Sequence, residues 1–147
     1  MGIGVFKYLH ARPKRNIMNR EIKFRGKRIN NSEWVIGDLL KDGSKIFITN
    51  LTGASRNYYE VIPETVGQFT GLKDKNDVDI YEGDYDADFQ VIMWCENRNG
   101  WASKTYDFPT KEIICCHCYR CEGDYDIQEI DNIEIIGNIH DNPELTK

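Results

Sequence analysis

Cys115, Cys116, His117, Cys118 and Cys121 crowd into the stretch CCHCYRC, which holds the softest metal ligands of the chain. Zinc takes four nitrogen or sulfur ligands in a tetrahedron, usually as two pairs that a fold brings together. Cys118 and Cys121 form one well-spaced pair. Cys115 or Cys116 with His117, or with the distant Cys95, would have to supply the other. The candidate metal ligands are therefore Cys115, His117, Cys118 and Cys121, with zinc as their ion. The competing reading is a strand whose free thiols pack as small hydrophobes, and it needs no cofactor at all. That is the expectation here. A three-residue cysteine spacing also suits cluster ferredoxins, but the fourth cysteine and its following proline are missing.

Asp84, Asp86 and Asp88 alternate in DYDADF, so an extended backbone would set three carboxylates on one face. Calcium accepts such oxygens, but an EF-hand loop starting at Asp84 would need glycine and glutamate where Phe89 and Cys95 stand. The expected reading is a solvated acidic face that protects a sheet edge from unwanted pairing. A zinc deaminase needs H-x-E and P-C-x-x-C. None of His10, His117 and His140 has glutamate two positions on, and Cys118 follows histidine. The phosphate-binding loop, the nucleophile elbow and the dinucleotide fingerprint are likewise missing. No pair of acids is singled out for proton transfer. The residues point away from an enzyme.

The elements that carry these residues read as short strands. REIKFRGKRINNSEWVIGDLL alternates apolar and polar positions around a polar loop, which signals an antiparallel hairpin. Asp42-Gly43 suits a tight turn into a third strand over Ile46, Phe47 and Ile48. RNYYEVIPETV gives mixed signals, with Pro63 placed to open a short helical turn. VGQFTGL reads as extended, KDKNDV as a turn, and DIYEGDYDADFQVIMW as one long strand bent at Gly83. WASKTYDF, KEIICCHCYRC and DNIEIIGNIH supply the remaining strands, with Pro109 breaking the first of these. A helix is conceivable only over Gln128 to Ile133. EGDYD occurs at 82–86 and at 122–126 with unlike flanks, so we read one strand-bend solution used twice, each tyrosine half-buried. The fold class is mainly β, antiparallel, with at most one or two short helices.

At 147 residues the chain suits one domain with a core of its own. Its 40% hydrophobic and 12% aromatic content argues against general disorder. No apolar run reaches the roughly 20 residues of a membrane span, and no secretory pattern opens the sequence. Phe6 also spoils a myristoylation signal. A cytoplasmic protein with reduced thiols is expected. Residues 1–17 carry Lys7, Arg12, Lys14 and Arg15 and no acid, while all 24 acids fall in the remainder. We read residues 1–17 as a basic, disordered extension and 18–147 as the domain, in one body or two small lobes; Met18 is an alternative start.

VIPETVGQFTGLKDKN, IYEGD and IEIIGNIHDNPEL, together with REIKFRGK and EWVIGDLL, resemble the YopX protein family, small proteins of phages and prophages. The resemblance covers both ends and the centre of residues 19–145, in order. It implies a β-rich domain, partly a barrel-like sheet, and it implies no activity. Two departures stand out. Asp77 replaces the glycine usual after the KDKN turn, and Tyr85-Asp86 follow IYEGD where aliphatic residues are common. Read physically, Gly67, Gly71 and Gly83 suit bends or close backbone approach. Val66, Phe69, Leu72, Ile80 and Tyr81 suit packing, and Thr65, Thr70 and Asp74 suit backbone donors.

Three functions remain open from the sequence. The first is a phage or prophage accessory protein that binds a host or phage protein through its strand edges, in the cytoplasm of a bacterial host. The second is a nucleic-acid-binding regulator using the basic tail and an aromatic face of Trp34, Trp94, Trp101, Tyr58, Tyr59, Tyr106 and Phe108. The net charge of −5 disfavours it. The third is a small zinc protein.

Overall fold

A computed structural model describes residues 20–96, 99–104, 125–126 (backbone only) and 133–146. They form two antiparallel sheets. The first has the order β4-β3-β2-β1-β5-β6, built from β1 (Phe24–Lys27), β2 (Trp34–Asp42), β3 (Lys45–Thr52), β4 (Ser55–Glu60), β5 (Gly67–Lys73) and β6 (Asp79–Tyr81). The second has the order β10-β9-β8-β7-β11, built from β7 (Asp84–Asp86), β8 (Val91–Cys95), β9 (Gly100–Lys104), β10 (Tyr125–Asp126) and β11 (Ile135–Asn138). Neither sheet closes, so the barrel-like expectation gives way to two open sheets. The only helical pieces among the described residues are 3-10 turns at Pro63–Thr65 and Pro143–Thr146. None is long and apolar enough to cross a membrane.

Local chemistry explains the hairpins. The INNSE loop closes through Arg28 N–H to Glu33 O and Ser32 N–H to Arg28 O, at 2.9 Å each. Gly43 and Gly53 each hold the first place of a two-residue loop with positive φ, which matches the right-handed twist of the flanking strands. The KDKN turn keeps its shape without glycine. Asp77 takes φ 65°, a left-handed conformation that aspartate tolerates better than most residues. Asp74 secures that turn by accepting from the backbone N–H groups of Asn76, Val78 and Ile135.

DIYEGDYDADFQVIMW is three strands rather than one. Gly83, at φ +85°, turns the chain out of the first sheet and into the second. The corner is bonded on every side. Glu82 N–H donates to Gln68 O, Gly83 N–H to Ile92 O, and Ile139 N–H to Gly83 O, all within 2.8–2.9 Å. Gly67 is glycine for want of room, since a Cβ there would meet Glu82 O at 2.6 Å. Ile80, Ile92, Trp101 and Ile133, flanked by Leu72 and Ile135, form the core that the two sheets share. Each large aliphatic side chain buried there contributes about 1.5–3 kcal/mol.

Candidate interaction surface

The sequence candidates fare differently. Cys115, His117, Cys118 and Cys121 lie outside the described residues, as do residues 1–17 and most of 128–133. Cys95 is buried with a free thiol. Among the described residues, no three or more histidine, cysteine, aspartate or glutamate side chains gather as a metal site. The acidic face is a correction. Asp84 and Asp86 are only 2% and 6% exposed, because β7 lies inside the second sheet between β8 and β11. Asp86 accepts from the N–H groups of Asp88 and Gln90 and from the Ser103 hydroxyl, so it is a turn brace. Only Asp88 faces water. Tyr85, expected half-buried, is fully buried. Of the aromatic residues, Trp34 and Tyr58 belong to the first sheet while Trp94 stacks edge-on against Trp101 in the second. Tyr106 and Phe108 lie outside the described residues.

Among the described residues, a cluster of charges sits where the sheets meet. Arg25 pairs with Asp84 at 2.5 Å, donates to Glu82 O at 3.3 Å, and lies over the rings of Trp34 and Tyr81. Burial raises the Asp84 carboxyl above the usual range, while the Arg25 charge and the Tyr81 N–H pull against that rise. Beside it, Asp141 takes Lys27 Nζ at 2.5 Å, the Trp34 indole N–H at 2.7 Å and the Asn138 amide at 2.8 Å. Each cation is matched by a carboxylate. What the cluster does is hold the last turn of the chain against its first hairpin.

The outer strands of the first sheet are built differently. Thr52 and Ser55 close the two-residue loop Gly53-Ala54, so the backbone groups of Ser55, Asn57 and Tyr59 turn toward β3. Those of Arg56, Tyr58 and Glu60 then turn outward. The bond from Ile29 N–H to Glu60 O, at 3.1 Å, follows from that alternation. Among the described residues, β4 is the end of the sheet, and nothing meets the outward groups of Arg56 and Tyr58. Its face carries Tyr58, 58% exposed, in a row with Thr49 and Asp38, and Leu51, 67% exposed, opposite Arg56. A cleft of about 210 Å³ adjoins the far end of the edge, lined by Arg28, Ile29, Asn30, Tyr58, Tyr59 and Glu60. Arg28 lies over the Tyr59 ring there. Sequence reading missed this edge because Ser55, Arg56 and Asn57 dilute the β signal. Gly53-Ala54 following an apolar strand was the clue.

A sequence profile of the YopX protein matches residues 23–147. The chain belongs to the YopX family. Protein EF1440 from Enterococcus faecalis, a solved structure, is similar at 25% identity, with 86% of this chain and 99% of that one covered and a TM-score of 0.42. No curated protein is detectably similar.

In this YopX chain the shared motifs are accounted for by the fold. Thr65 Oγ1 accepts from Lys27 N–H and donates to Ile62 O, and Thr70 Oγ1 donates to Ile80 O. Phe69, Ile80 and Tyr81 are buried. Asn138 Oδ1 caps the closing turn by accepting from His140 and Asp141 N–H.

That closing turn makes stability pH-dependent in two steps. Burial lowers the His140 pKa below 6.5, aided by the Arg25 and Lys27 charges. The unfolded chain therefore takes up this proton first, and stability falls as pH drops below 6.5 until the folded value is passed. Burial alone would raise Asp141, but hydrogen bonds from Lys27, Asn138 and Trp34, and the Lys27 charge, bring it down to about 2. Its contribution is whole above 3.8 and is lost between there and about 2. In thermal melts against pH, His140→Gln should flatten the upper step and Asp141→Asn the lower one.

Proposed function

We propose that this YopX protein works by binding another protein, which adds a strand along β4. The setting is a phage or prophage, the partner is a host- or phage-encoded protein, and the place is the cytoplasm of the bacterial host. One observation carries the reading: the terminal strand offers outward backbone groups at Arg56 and Tyr58 beside exposed Tyr58 and Leu51. Main-chain pairing supplies affinity in strand addition, and neighbouring pockets supply specificity. The cleft at Arg28 and Tyr59 suits a side chain carried by the incoming strand.

The test uses Tyr58→Pro. Proline there removes an outward donor and leaves the β3 ladder intact, as edge strands permit. Immobilised full-length protein should retain a partner from bacterial lysate that the variant, checked by circular dichroism, fails to retain. A partner held equally by both refutes strand addition at β4, and none held by the unaltered protein refutes a host partner there.

A further inference from the structure

We propose that the strand accepted by β4 is β4 of a second copy of this chain, an inference that rests on the reading above and names its partner. The open edge is short and bounded. The Gly53-Ala54 turn ends it on one side, and Ile29, bonded to Glu60 O, covers it on the other. Between these limits only Arg56 and Tyr58 present both an outward N–H and an outward carbonyl. A copy related by a two-fold axis at Asn57 puts Arg56 opposite the partner's Tyr58 and Tyr58 opposite the partner's Arg56. All four outward N–H and C=O groups of each open edge are then satisfied at once.

The side chains agree with this register. Arg56 and Tyr58 project from the same face, so the stem of each arginine lies beside the partner's tyrosine ring while its guanidinium stays on Asp38 and Thr49 of its own sheet. Glu60, whose carbonyl Ile29 already takes, comes level with the partner's Gly53-Ala54 turn, so the pairing ends there on both copies. Charge agrees as well. The chain as a whole carries −5, which keeps copies apart. Over residues 38–60, however, Asp38, Asp42 and Glu60 are balanced by Lys41, Lys45 and Arg56. The approaching hairpins are neutral and display Leu51 and Tyr58. The fit is short, so a weak, reversible dimer is the outcome.

Sedimentation equilibrium of the full chain, from about 1 μM to about 1 mM, covers the range in which a small interface shows itself. The average mass should climb from 17.1 kDa toward twice that value, and Tyr58→Pro should stay at 17.1 kDa. A second variant tests the register without relying on proline. Asn57→Cys places two thiols at the two-fold axis, in a non-hydrogen-bonded pair whose Cα spacing of about 4.5 Å admits a disulfide. After mild oxidation, mass spectrometry of the Asn57→Cys variant should find the β4 peptide joined by a disulfide to its own copy, a species that the unaltered chain lacks. A monomer throughout, without that cross-link, overturns the dimer. So does a dimer that survives Tyr58→Pro. If lysate capture still depends on Tyr58, strand addition stands and only the partner named here falls.

Discussion

Gly37→Ala should cost more than about 3 kcal/mol of folding stability, at the upper end of what overpacking does. A Cβ at this position in β2 would lie 2.0 Å from the carbonyl oxygen of Thr49 in β3. The obstacle is backbone, so no rotamer change relieves it. Thr49 is itself held, 2% exposed and accepting from Arg56 through its hydroxyl. Relief requires β2 and β3 to part where β2 passes from pairing with β1 to pairing with β3. Gly53→Ala is the control. Its neighbourhood is empty, and it pays only the left-handed conformation, about 1–2 kcal/mol. Urea denaturation of the two variants separates crowding from strain. A Gly37→Ala loss no larger than that of Gly53→Ala would mean that the strands yield easily.

Arg25→Met should cost about 3–5 kcal/mol, as expected when one partner of a buried ion pair is removed. Asp84 would remain 2% exposed without a counter-charge, and the corner carbonyl of Glu82 would lose a donor. The pH dependence identifies the cause. Burial already raises the Asp84 carboxyl, and Arg25 is the main force opposing that rise. Without Arg25 the folded value climbs further. A raised carboxyl favours folding below its unfolded value and loses that advantage as pH rises through the folded one. The deficit of Arg25→Met should therefore be greatest at neutral pH and shrink in acid. The double variant Arg25→Met with Asp84→Leu should recover much of the loss, since apolar replacement of both partners removes the unpaired charge. A deficit independent of pH would trace the cost to packing against Trp34 and Tyr81 instead.

What could be seen in advance followed from local rules. The first hairpin, the Gly43 turn, the Pro63 turn and the bend at Gly83 each depend on residues within a few positions of one another, and all appear where expected. The roles of Thr65, Thr70 and Asp74 were legible because short hydroxyl and carboxylate side chains have few options beside glycine bends. Asp84 and Asp86 were misjudged for a non-local reason. Alternation says that two carboxylates share a side of the backbone. It does not say that Arg25, fifty-nine positions earlier, or Ser103 will be waiting there. The β4 edge was missed because pairing depends on neighbours rather than composition. Its outward groups emerge only once the register from the Gly53-Ala54 loop is known.

The tie between Trp34 and Asp141 spans 107 positions, and Asp74 reaches Ile135 across 61. Contacts so distant along the chain make folding slow, because their closure entropy must be met before they return any stability. During synthesis the first hairpin leaves the ribosome long before its anchor does. Trp34, Lys27 and Arg25 then wait without the turn that fastens them, and a transcript cut short before Asn138 would leave a molecule that never locks.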